Sequence, residues 1–572
     1  MSCATILAGA TTMRERAILV VLILTPFLLT AVVVLYLRLS RLQDVMEVRA
    51  RVLPVGVVYF SCLTDLDKDG NDEILVRVRP EGWMNFSKRS NETVIAVTMR
   101  NGKFVTYRIP LPDSAMYWLR APERGQWFVC LTRKGELIVF ERTPDGKWQE
   151  SSLKSKATNE FFVCDFDGNE LEDDVVVVTA ERQFLWFQRL PDGQFQKRGE
   201  VTIPMTGHIY PVVSNCVASW GVWTGKSYQS LPIFLWEGKL RVGQIDEQVA
   251  IFNGDWFGSG KKSKLLVRFF TGYDKVRWQF EHSGLKGTLN FKGWKLAKAE
   301  ATNKLGDGKW HLLVTMAKPK PLTVRVVDCS FEPLRGWQVS EIGRWEVKGR
   351  GGLSPPTSFS HFSQWLDELS LTFGDADGDG RNEIVVGDSW LLYRLGHRWR
   401  VLLLVTFKNQ TATSWIVNKF SPMVAKNGRL WFIRTVSNQT KTPYGFSSET
   451  EPLRELGTFN AKGKWQPLGK FRRSSAWGQE IDDLNGDCSP ELLAFEGLIW
   501  QKPVLYYRSI KGQWRKKRFV GGSLGRLLEV WLRGTIDAFP EPRAVHLVQW
   551  EGKKWFVILW GDSFVQAVTL RR

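Results

Sequence analysis

Short apolar runs recur along most of the chain, separated by turns that contain Gly, Asp, Asn and Pro. Residues 116–148 show the rhythm. They hold apolar runs at Met116–Leu119, Trp127–Leu131 and Leu137–Phe140, then the turn 144–146, which leads into Lys147 and Trp148. This pattern predicts four short strands joined by turns, and about ten such units fit between Val55 and Leu570. The chain is therefore predicted to be all-β and repetitive.

Four-stranded units that recur at a fixed period predict a β-propeller, in which each blade buries its faces against its neighbours. The predicted propeller region is 53–572, with about 7–10 blades. Ten blades exceed the 4–8 of an ordinary ring, so one large ring, inserted units and two rings all stay open. The stretch 349–363, rich in Gly, Ser and Pro, is the candidate internal boundary.

The N-terminal part of the chain departs from this pattern. Residues 17–37 carry no charge and are bracketed by Arg16 and Arg38, which predicts one transmembrane helix after a cytoplasmic N-terminus at 1–16. A cleaved signal peptide would have a shorter apolar core and a small-residue cleavage site. Residues 38–52 are predicted to form a juxtamembrane stalk, because Leu39, Leu42, Val45 and Met46 fit one helical face.

Two arguments about orientation conflict. Basic residues are more frequent after the apolar segment than before it, which favours a cytoplasmic C-terminal domain. Long domains can cross the membrane despite flanking charge, and weak calcium sites suit the millimolar calcium found outside cells. We therefore predict a single-pass membrane protein with its large C-terminal domain outside the cytoplasm.

A nine-residue pattern recurs four times and each time precedes an apolar strand. We name these segments acid loop 1 (65–73), acid loop 2 (165–173), acid loop 3 (375–383) and acid loop 4 (483–491). Oxygen-bearing side chains stand at positions 1, 3, 5 and 9. Ca²⁺ takes about 6–8 oxygen ligands, and alternate residues of a tight loop direct oxygens to one centre. An EF-hand would place its Glu at position 12 between helices, so strand–loop–strand calcium sites are predicted.

Two weaker versions of the loop begin at Asn253 and Asn303, and both precede a Leu-Leu-Val strand. They lack the full acidic set, so they are predicted to keep the turn without the metal. Empty hairpin turns remain the alternative for every loop, since Asp, Asn and Gly are ordinary turn residues.

These loops resemble the FG-GAP/VCBS family of propeller repeats, to which integrin α-subunit propellers belong. Loop 3 is the most similar, with Phe373-Gly374 before it and Val385-Val386-Gly387 after it. The resemblance implies Ca²⁺ as the cofactor, with position 7 offering only its backbone carbonyl. The implied ligands are Asp65, Asp67, Asp69, Asn71 and Glu73; Asp165, Asp167, Asn169, Leu171 and Asp173; Asp375, Asp377, Asp379, Arg381 and Glu383; and Asp483, Asn485, Asp487, Ser489 and Glu491. Loops 2 and 4 lack the glycine after position 5.

Composition and charge narrow the classes of ligand and of cysteine site that the chain could have. The formal net charge is +19, which attracts anions, and the densest basic run is 515–518 beside Trp514 and Phe519. That run has two interpretations. It could be an aromatic and basic surface on which a nucleic-acid base or a sugar stacks, or an exposed edge strand whose charges prevent pairing with other chains. The seven cysteines form no metal or disulfide pattern, and buried free thiols are expected at Cys62, Cys130 and Cys164.

No catalytic motif is evident. The six histidines are scattered, and none lies in H-E-x-x-H. The predicted function is a calcium-binding interaction or adhesion module for a protein or glycan ligand, anionic ligands included, with nucleic acid disfavoured. A carbohydrate-active enzyme (a polysaccharide lyase or hydrolase) and an envelope assembly scaffold are the alternatives.

Overall fold

The computed structural model describes the chain from 44 to 570. Short segments within that range lie outside the description: 55–56, 80–92, 110–114, 123–124, 133, 144–145, 158–160, 204–206, 215, 224–227, 348–361, 363–364, 410–413, 426, 443–444, 449–452, 473–474, 497–501, 510–511, 520–541 and 561–563.

Within the described residues, forty-two strands form ten antiparallel sheets, and each sheet is one blade of a β-propeller. Blades 1 to 3 contain β2 (Val57–Thr64), β3 (Glu73–Arg79), β4 (Thr93–Arg100) and β5 (Lys103–Ile109); β6 (Ala115–Arg120), β7 (Trp127–Thr132), β8 (Glu136–Arg142) and β9 (Trp148–Lys156); and β10 (Phe161–Cys164), β11 (Asp174–Val178), β12 (Gln183–Arg189) and β13 (Phe195–Thr202). Blades 4 and 5 contain β14 (Gly207–Ser214), β15 (Val217–Trp223), β16 (Tyr228–Trp236) and β17 (Lys239–Val242); and β18 (Glu247–Gly254), β19 (Ser263–Phe270), β20 (Lys275–Phe280) and β21 (Lys286–Asn290).

The second half continues the pattern. Blades 6 and 7 contain β22 (Lys295–Thr302), β23 (His311–Pro319), β24 (Leu322–Glu332) and β25 (Gly336–Glu346); and β26 (Leu371–Gly374), β27 (Glu383–Val386), β28 (Trp390–Leu395) and β29 (Arg398–Leu403). Blade 8 contains β31 (Ser414–Val424), β32 (Leu430–Thr442), β34 (Leu453–Phe459) and β35 (Trp465–Arg472), with β30 (Val405–Asn409) added beside β31 and β33 (Gly445–Ser448) beside β32. Blade 9 contains β36 (Ser475–Asp482), β37 (Glu491–Glu496), β38 (Lys502–Arg508) and β39 (Trp514–Arg518).

Blade 10 joins the two ends of the described chain. It contains β40 (Pro542–Trp550), β41 (Lys553–Trp560) and β42 (Phe564–Leu570), and its outer strand is β1 (Val45–Arg51) from the N-terminal side. The antiparallel register runs from Val45 opposite Leu570 to Arg51 opposite Phe564. The last blade is thus completed by the first strand, which closes the ring.

Burial differs between strands of one blade in the way the apolar pattern predicts. Strand β7 is buried at every position, as is β11 with its four valines, because each is covered by neighbouring blades on both faces. Outer strands such as β13 alternate between half-buried and exposed residues, since one face meets water.

Hydrophobic clusters connect each blade to the next around the whole ring. Leu75 and Phe128 lie in the cluster between blades 1 and 2, and Leu505 and Phe556 lie in the one between blades 9 and 10. Each fully buried aliphatic or aromatic side chain contributes on the order of 2 kcal/mol. The described residues therefore form one closed ring of ten blades, which confirms the predicted all-β propeller and removes the two-ring alternative.

The interval 116–148 forms blade 2 with strand positions close to those predicted, but the stalk prediction was wrong for its second half. Residues 45–51 are a strand, because alternate apolar side chains there pack against β42 and its neighbours. The candidate boundary at 349–363 lies mostly outside the described residues, and blades 6 and 7 on either side of it share one hydrophobic cluster.

No helix within the described residues is both long and apolar enough to cross a bilayer. The predicted transmembrane segment at 17–37 lies outside the described residues.

Candidate metal centres

All four acid loops occupy equivalent places in the ring. Each joins the first strand of a blade to the second: β2 to β3, β10 to β11, β26 to β27 and β36 to β37. Because the strands of a blade are antiparallel, connections between first and second strands and between third and fourth strands emerge on the same face. We call this the loop face. All four predicted calcium sites lie on it.

The acid loops belong to alternate blades, namely 1, 3, 7 and 9. Blade 5 carries the weak version of the loop at 255–262, so every odd-numbered blade has a long connection here. In even-numbered blades the connection between the first and second strands is shorter, as in blade 10, where it is Glu551-Gly552. Blade 6 is the exception, with a connection at 303–310. The repeating unit is therefore a pair of blades, which explains the spacing of roughly 100 residues between acid loops.

A common set of backbone hydrogen bonds shapes these loops. The position 1 carboxylate accepts the N–H of position 6, and the position 5 oxygen accepts the N–H of position 7. The first bond joins Gly70 to Asp65 (3.2 Å), Glu170 to Asp165 (2.9 Å), Gly380 to Asp375 (3.1 Å) and Cys488 to Asp483 (2.9 Å). The second joins Asn71 to Asp69, Leu171 to Asn169, Arg381 to Asp379 and Ser489 to Asp487 (2.7–2.8 Å).

Position 6 requires a left-handed backbone in all four loops, whether or not it is glycine. Its φ is 81° at Gly70 and 83° at Gly380, and 72° at Glu170 and 63° at Cys488. Side-chain-bearing residues are strained in this region. Loops 2 and 4 lack glycine at position 6 but keep the same turn, because the position 1 carboxylate bonds the N–H of position 6.

The last acid of each loop is buried beneath the turn, where its carboxylate accepts the N–H of position 2. Loops 1, 3 and 4 use position 9 for this bond, from Leu66 to Glu73 (2.6 Å), Ala376 to Glu383 (2.6 Å) and Leu484 to Glu491 (2.7 Å). In loop 2 the acceptor is Asp174 at position 10, which is bonded by the N–H of Phe166 at 2.7 Å. This bond is therefore made by Asp174 and not by Asp173, whose role as the ninth-position ligand stays a prediction.

The substitution in loop 2 has a simple geometric cause. Aspartate is one methylene shorter than glutamate, and the loop is one residue longer, so Asp174 brings its carboxylate to the place Glu73 occupies in loop 1. Asp173 remains nearer the surface, where its carboxylate accepts the side-chain amide of Asn169 at 3.3 Å. Asp174 follows the predicted motif directly, so its acidic side chain was a signal that could have found it.

The buried acid meets the acids of positions 1 and 3. In loop 1, Asp65, Asp67 and Glu73 each offer one oxygen, and these oxygens lie within 4.8 Å of one another. Asp165, Asp167 and Asp174 form the same group in loop 2, as do Asp375, Asp377 and Glu383 in loop 3. Oxygens on opposite sides of one Ca²⁺ are about 4.8 Å apart, because each lies about 2.4 Å from the ion. The spacing suits a single calcium ion.

Position 5 lies outside these groups. Asp69 and Asp379 are absent from the oxygen clusters of loops 1 and 3 and instead bond the N–H of position 7. The structure thus brings together positions 1 and 3 with the buried acid. In loop 4, Asn485 replaces the acid at position 3, and Asp483 and Glu491 keep the same backbone bonds as their counterparts.

Several carboxylate oxygens in these loops are buried without a hydrogen-bond partner among the described residues. They are Oδ1 of Asp65 and of Asp67, and Oε1 of Glu73 and of Glu491. Glu73 and Glu491 are fully buried, although buried polar atoms are nearly always paired. An oxygen aimed into a cluster of other acids without a donor matches the ligand set of a hard cation, so the residues fit calcium.

The pKa values of the buried acids reflect the same situation. Burial, reinforced by neighbouring carboxylates, raises the pKa of Glu73 and of Glu383 to about 8 and that of Glu491 to about 9. Burial raises the pKa of Asp174 to about 7, although the indole N–H of Trp186 donates to this carboxylate. Without a cation, these carboxyl groups hold protons near neutral pH.

Basic side chains compete for the outer edges of the clusters. Asp67 pairs with Arg100 of β4 and with Arg142 of blade 2, the latter at 3.3 Å. Asp375 pairs with Arg429 of blade 8 at 3.2 Å. These arginines partly neutralise the half-buried carboxylates of Asp67 and Asp375. They should weaken calcium binding, because an ion must compete with them.

Acid loops 1 and 3 pack on the turns of even-numbered blades. The indole N–H of Trp550 donates to the carbonyl of Asp72 at 2.6 Å, which connects loop 1 to blade 10. The N–H of Asp375 donates to the carbonyl of Gly428 in blade 8 at 3.0 Å. Changes in an acid loop are therefore transmitted directly to the neighbouring blade.

The two weak versions of the loop depart in different ways. In blade 5, Asp255 accepts the N–H of Gly260 at 2.7 Å, so the turn is kept, and Ser263 replaces the buried acid. In blade 6, His311 begins the second strand and is buried between Asp307 and Asp328, each 2.8 Å from a ring nitrogen. Burial lowers the pKa of His311, but the two carboxylates more than offset this and raise it. A histidine between two carboxylates thus stands where other blades have an acid.

Other sequence predictions concern residues outside the loops. Cys130 and Cys164 are free and buried, as predicted, and Cys62 is free and half-buried. A cavity of about 320 Å³ lies along the strands of blades 4, 5 and 6, with Ser219, Glu247 and Lys298 in its wall. Glu247 is held there by two bonds from the Arg268 guanidinium at 2.8 and 2.9 Å. This cavity is separate from the acid loops.

Comparison with known proteins adds little. No protein family matches the chain, and no curated protein is similar to it. Among solved structures, one similar chain belongs to a complex of S. cerevisiae Dbp5 with Nup159, Gle1, IP6 and ADP. It is 13% identical, with coverage of 48% of this chain and 75% of that chain, and the TM-score of 0.22 carries no argument. The fold and the loops described above therefore define the class: a ten-bladed β-propeller with repeated acidic loops on one face.

Proposed function

We propose that this protein is a membrane-anchored, calcium-binding propeller of the FG-GAP/VCBS type that serves as an interaction module outside the cytoplasm. The observation that carries the proposal is the buried carboxylate of each acid loop. Glu73 and Glu491 each keep an oxygen without a donor, inside a group of further acidic or amide oxygens. A divalent cation would satisfy these oxygens and remove the repulsion between the carboxylates.

The residues that would hold the ion are those whose oxygens converge. In loops 1 to 3 they are Asp65, Asp67 and Glu73; Asp165, Asp167 and Asp174; and Asp375, Asp377 and Glu383. In loop 4 the residues at the equivalent positions are Asp483, Asn485 and Glu491. Positions 5 and 7 remain predicted ligands. When bound, calcium would fix the loop face, because loops 1 and 3 are joined by hydrogen bonds to neighbouring blades.

Propellers commonly engage partners through their loops, and a rigid loop face suits this role because less conformational freedom is lost on binding. The proposed membrane anchor rests on the uncharged segment 17–37. The proposed exterior location rests on the match between weak calcium sites and the millimolar calcium found outside cells. A protein or an acidic glycan is the proposed ligand class, given the net charge of +19.

A calcium titration of the detergent-extracted full chain tests the proposal. Isothermal calorimetry should show binding in the range of about 10⁻⁴–10⁻³ M expected for extracellular modules, and magnesium at the same concentration should bind more weakly. Thermal unfolding should move upward with calcium and downward with EDTA. A melting temperature that neither calcium nor EDTA changes would refute the proposed metal sites. Turnover of an acidic polysaccharide would show that the protein is an enzyme rather than an interaction module.

A further inference from the structure

The outer strand of blade 9 is unusually basic. Strand β39 reads Trp-Arg-Lys-Lys-Arg and carries four positive charges in five residues. The outer strands of the other nine blades carry net charges between −1 and +2. Strand β39 is the edge of its sheet, and Arg515, Lys516 and Arg518 are exposed. The charge is therefore concentrated at one place on the rim of the ring.

This basic strand lies beside the strand that closes the ring. The guanidinium of Arg515 is 3.8 Å from the Asp44 carboxylate, and the ammonium of Lys517 is 2.7 Å from that of Glu47. Both strands run in the same direction, since successive pairs advance together along β39 and β1. The start of the basic strand thus lies next to the point at which the described chain begins.

The start of β1 lies on the loop face. An outer strand begins where the connection between third and fourth strands ends, and that connection emerges beside the acid loops. Contacts support this arrangement: Arg100, at the end of the third strand of blade 1, pairs with Asp67 of loop 1. The chain therefore enters the propeller at the loop face, at the junction of blades 9 and 10.

The length of the preceding chain limits how far this junction can be from a membrane. Seven residues, 38–44, separate the uncharged segment from β1. A fully extended segment of that length spans at most about 25 Å, at about 3.5 Å per residue. If the segment is an anchor, as the proposed function holds, the loop-face end of β39 must stay near the lipid headgroups.

We propose that the basic strand 514–518 is a membrane-contact surface that binds anionic lipid headgroups beside the anchor. Lysine and arginine at an anionic surface contribute on the order of fivefold each to association, and the effect decays within a Debye length. Arg515 and Lys517 also contact β1, whereas Lys516 and Arg518 project from the opposite face of the strand.

Lipid photocross-linking of the full chain in nanodiscs tests this inference. The variant Lys516→Gln/Arg518→Gln removes two exposed charges and leaves Arg515 and Lys517, which contact β1, in place. Its matched control is Arg398→Gln/Arg400→Gln, which removes two exposed charges with the same spacing from β29, the outer strand of blade 7. A photoactivatable phosphatidylglycerol should label the 514–519 peptide of the parent chain and of the control. Labelling of the variant should fall by about fivefold or more.

Three outcomes would overturn the inference: equal labelling by a phosphatidylcholine probe, equal labelling in the variant and its control, or labelling that raised salt does not weaken. Oligonucleotide binding that the same variant abolishes, with lipid labelling unchanged, would assign the strand to nucleic acid instead. Failure of the anchor itself would appear separately, as release of the chain by alkaline extraction. Failure of the metal sites would appear in the calcium titration.

Discussion

The substitution Glu73→Gln gives the sharpest test of the acid loops, because its stabilising effect should almost disappear in calcium. Glu73 is fully buried, one of its oxygens accepts the N–H of Leu66, and the other has no donor among the described residues. Its pKa is raised from about 4.5 to about 8 by burial and by the acids of the same loop. A carboxyl group of this kind contributes stability at low pH that is lost as pH rises through the folded pKa.

The magnitude follows from these pKa values. Between pH 4.5 and pH 7, keeping this carboxyl protonated in the folded state costs about 3 kcal/mol, at 1.36 kcal/mol per pH unit. Glutamine keeps the shape and the bond to Leu66 without this cost, so without calcium the variant should be more stable by up to about 3 kcal/mol. With calcium at a hundred times the dissociation constant, the parent gains about 2.7 kcal/mol per site, which the variant forgoes at loop 1.

Thermal unfolding at pH 7 in EDTA and in excess calcium, with calorimetric stoichiometry, measures both effects. The melting temperature should change by about 1 °C per kcal/mol in a domain of this size. Glu247→Gln is the matched control, since Glu247 is equally buried but paired with Arg268, so its loss should destabilise equally in both conditions. The reasoning fails if Glu73→Gln destabilises in EDTA, or if the number of calcium ions bound is unchanged.

Three further substitutions extend the test. Asp174→Asn should abolish calcium binding by loop 2, whereas Asp173→Asn should reduce the affinity by less than about tenfold; equal losses would restore the ninth position as the ligand. Arg429→Gln should strengthen calcium binding at loop 3 by severalfold, because a cation that competes for Asp375 is removed; weaker binding would show that the arginine only supports the loop. His311→Gln should destabilise the chain by about 2 kcal/mol independently of calcium. Since the pKa of His311 is raised, that loss should be largest at low pH and shrink as pH rises through the folded value; a loss that is the same at all pH values would exclude an imidazolium.

The repeat and the strands were predictable from sequence because each blade has its own local signal. The second strands are apolar at nearly every position, and the turns carry Gly, Asp and Asn, so even the blade count of about ten was available. Closure of the ring by β1 was not predictable from sequence. Residues 45–51 alternate in a way that also fits a helix over two turns, and only pairing with β42, more than 500 residues away in sequence, decides between them.

The candidate sites were predictable in their loops but not in every ligand. Asp65, Asp67 and Glu73 converge as predicted, because a nine-residue loop with alternating oxygens has one way to close. The shift from Asp173 to Asp174 depends on which carboxylate reaches the buried N–H of Phe166, which spacing alone cannot reveal. The arginines on the loop edges come from other strands and other blades, so no local motif could indicate them.

The closure through β1 has a consequence for synthesis. The first strand of the propeller leaves the ribosome before any of its blades but finds its partner only when β42, ending at Leu570, is complete. Until then the chain has a free edge at β1 and an incomplete tenth blade, both of which invite pairing between molecules. A product that stops before β42 retains that open seam however well its other blades fold, so truncated chains should be the species that chaperones and proteases select.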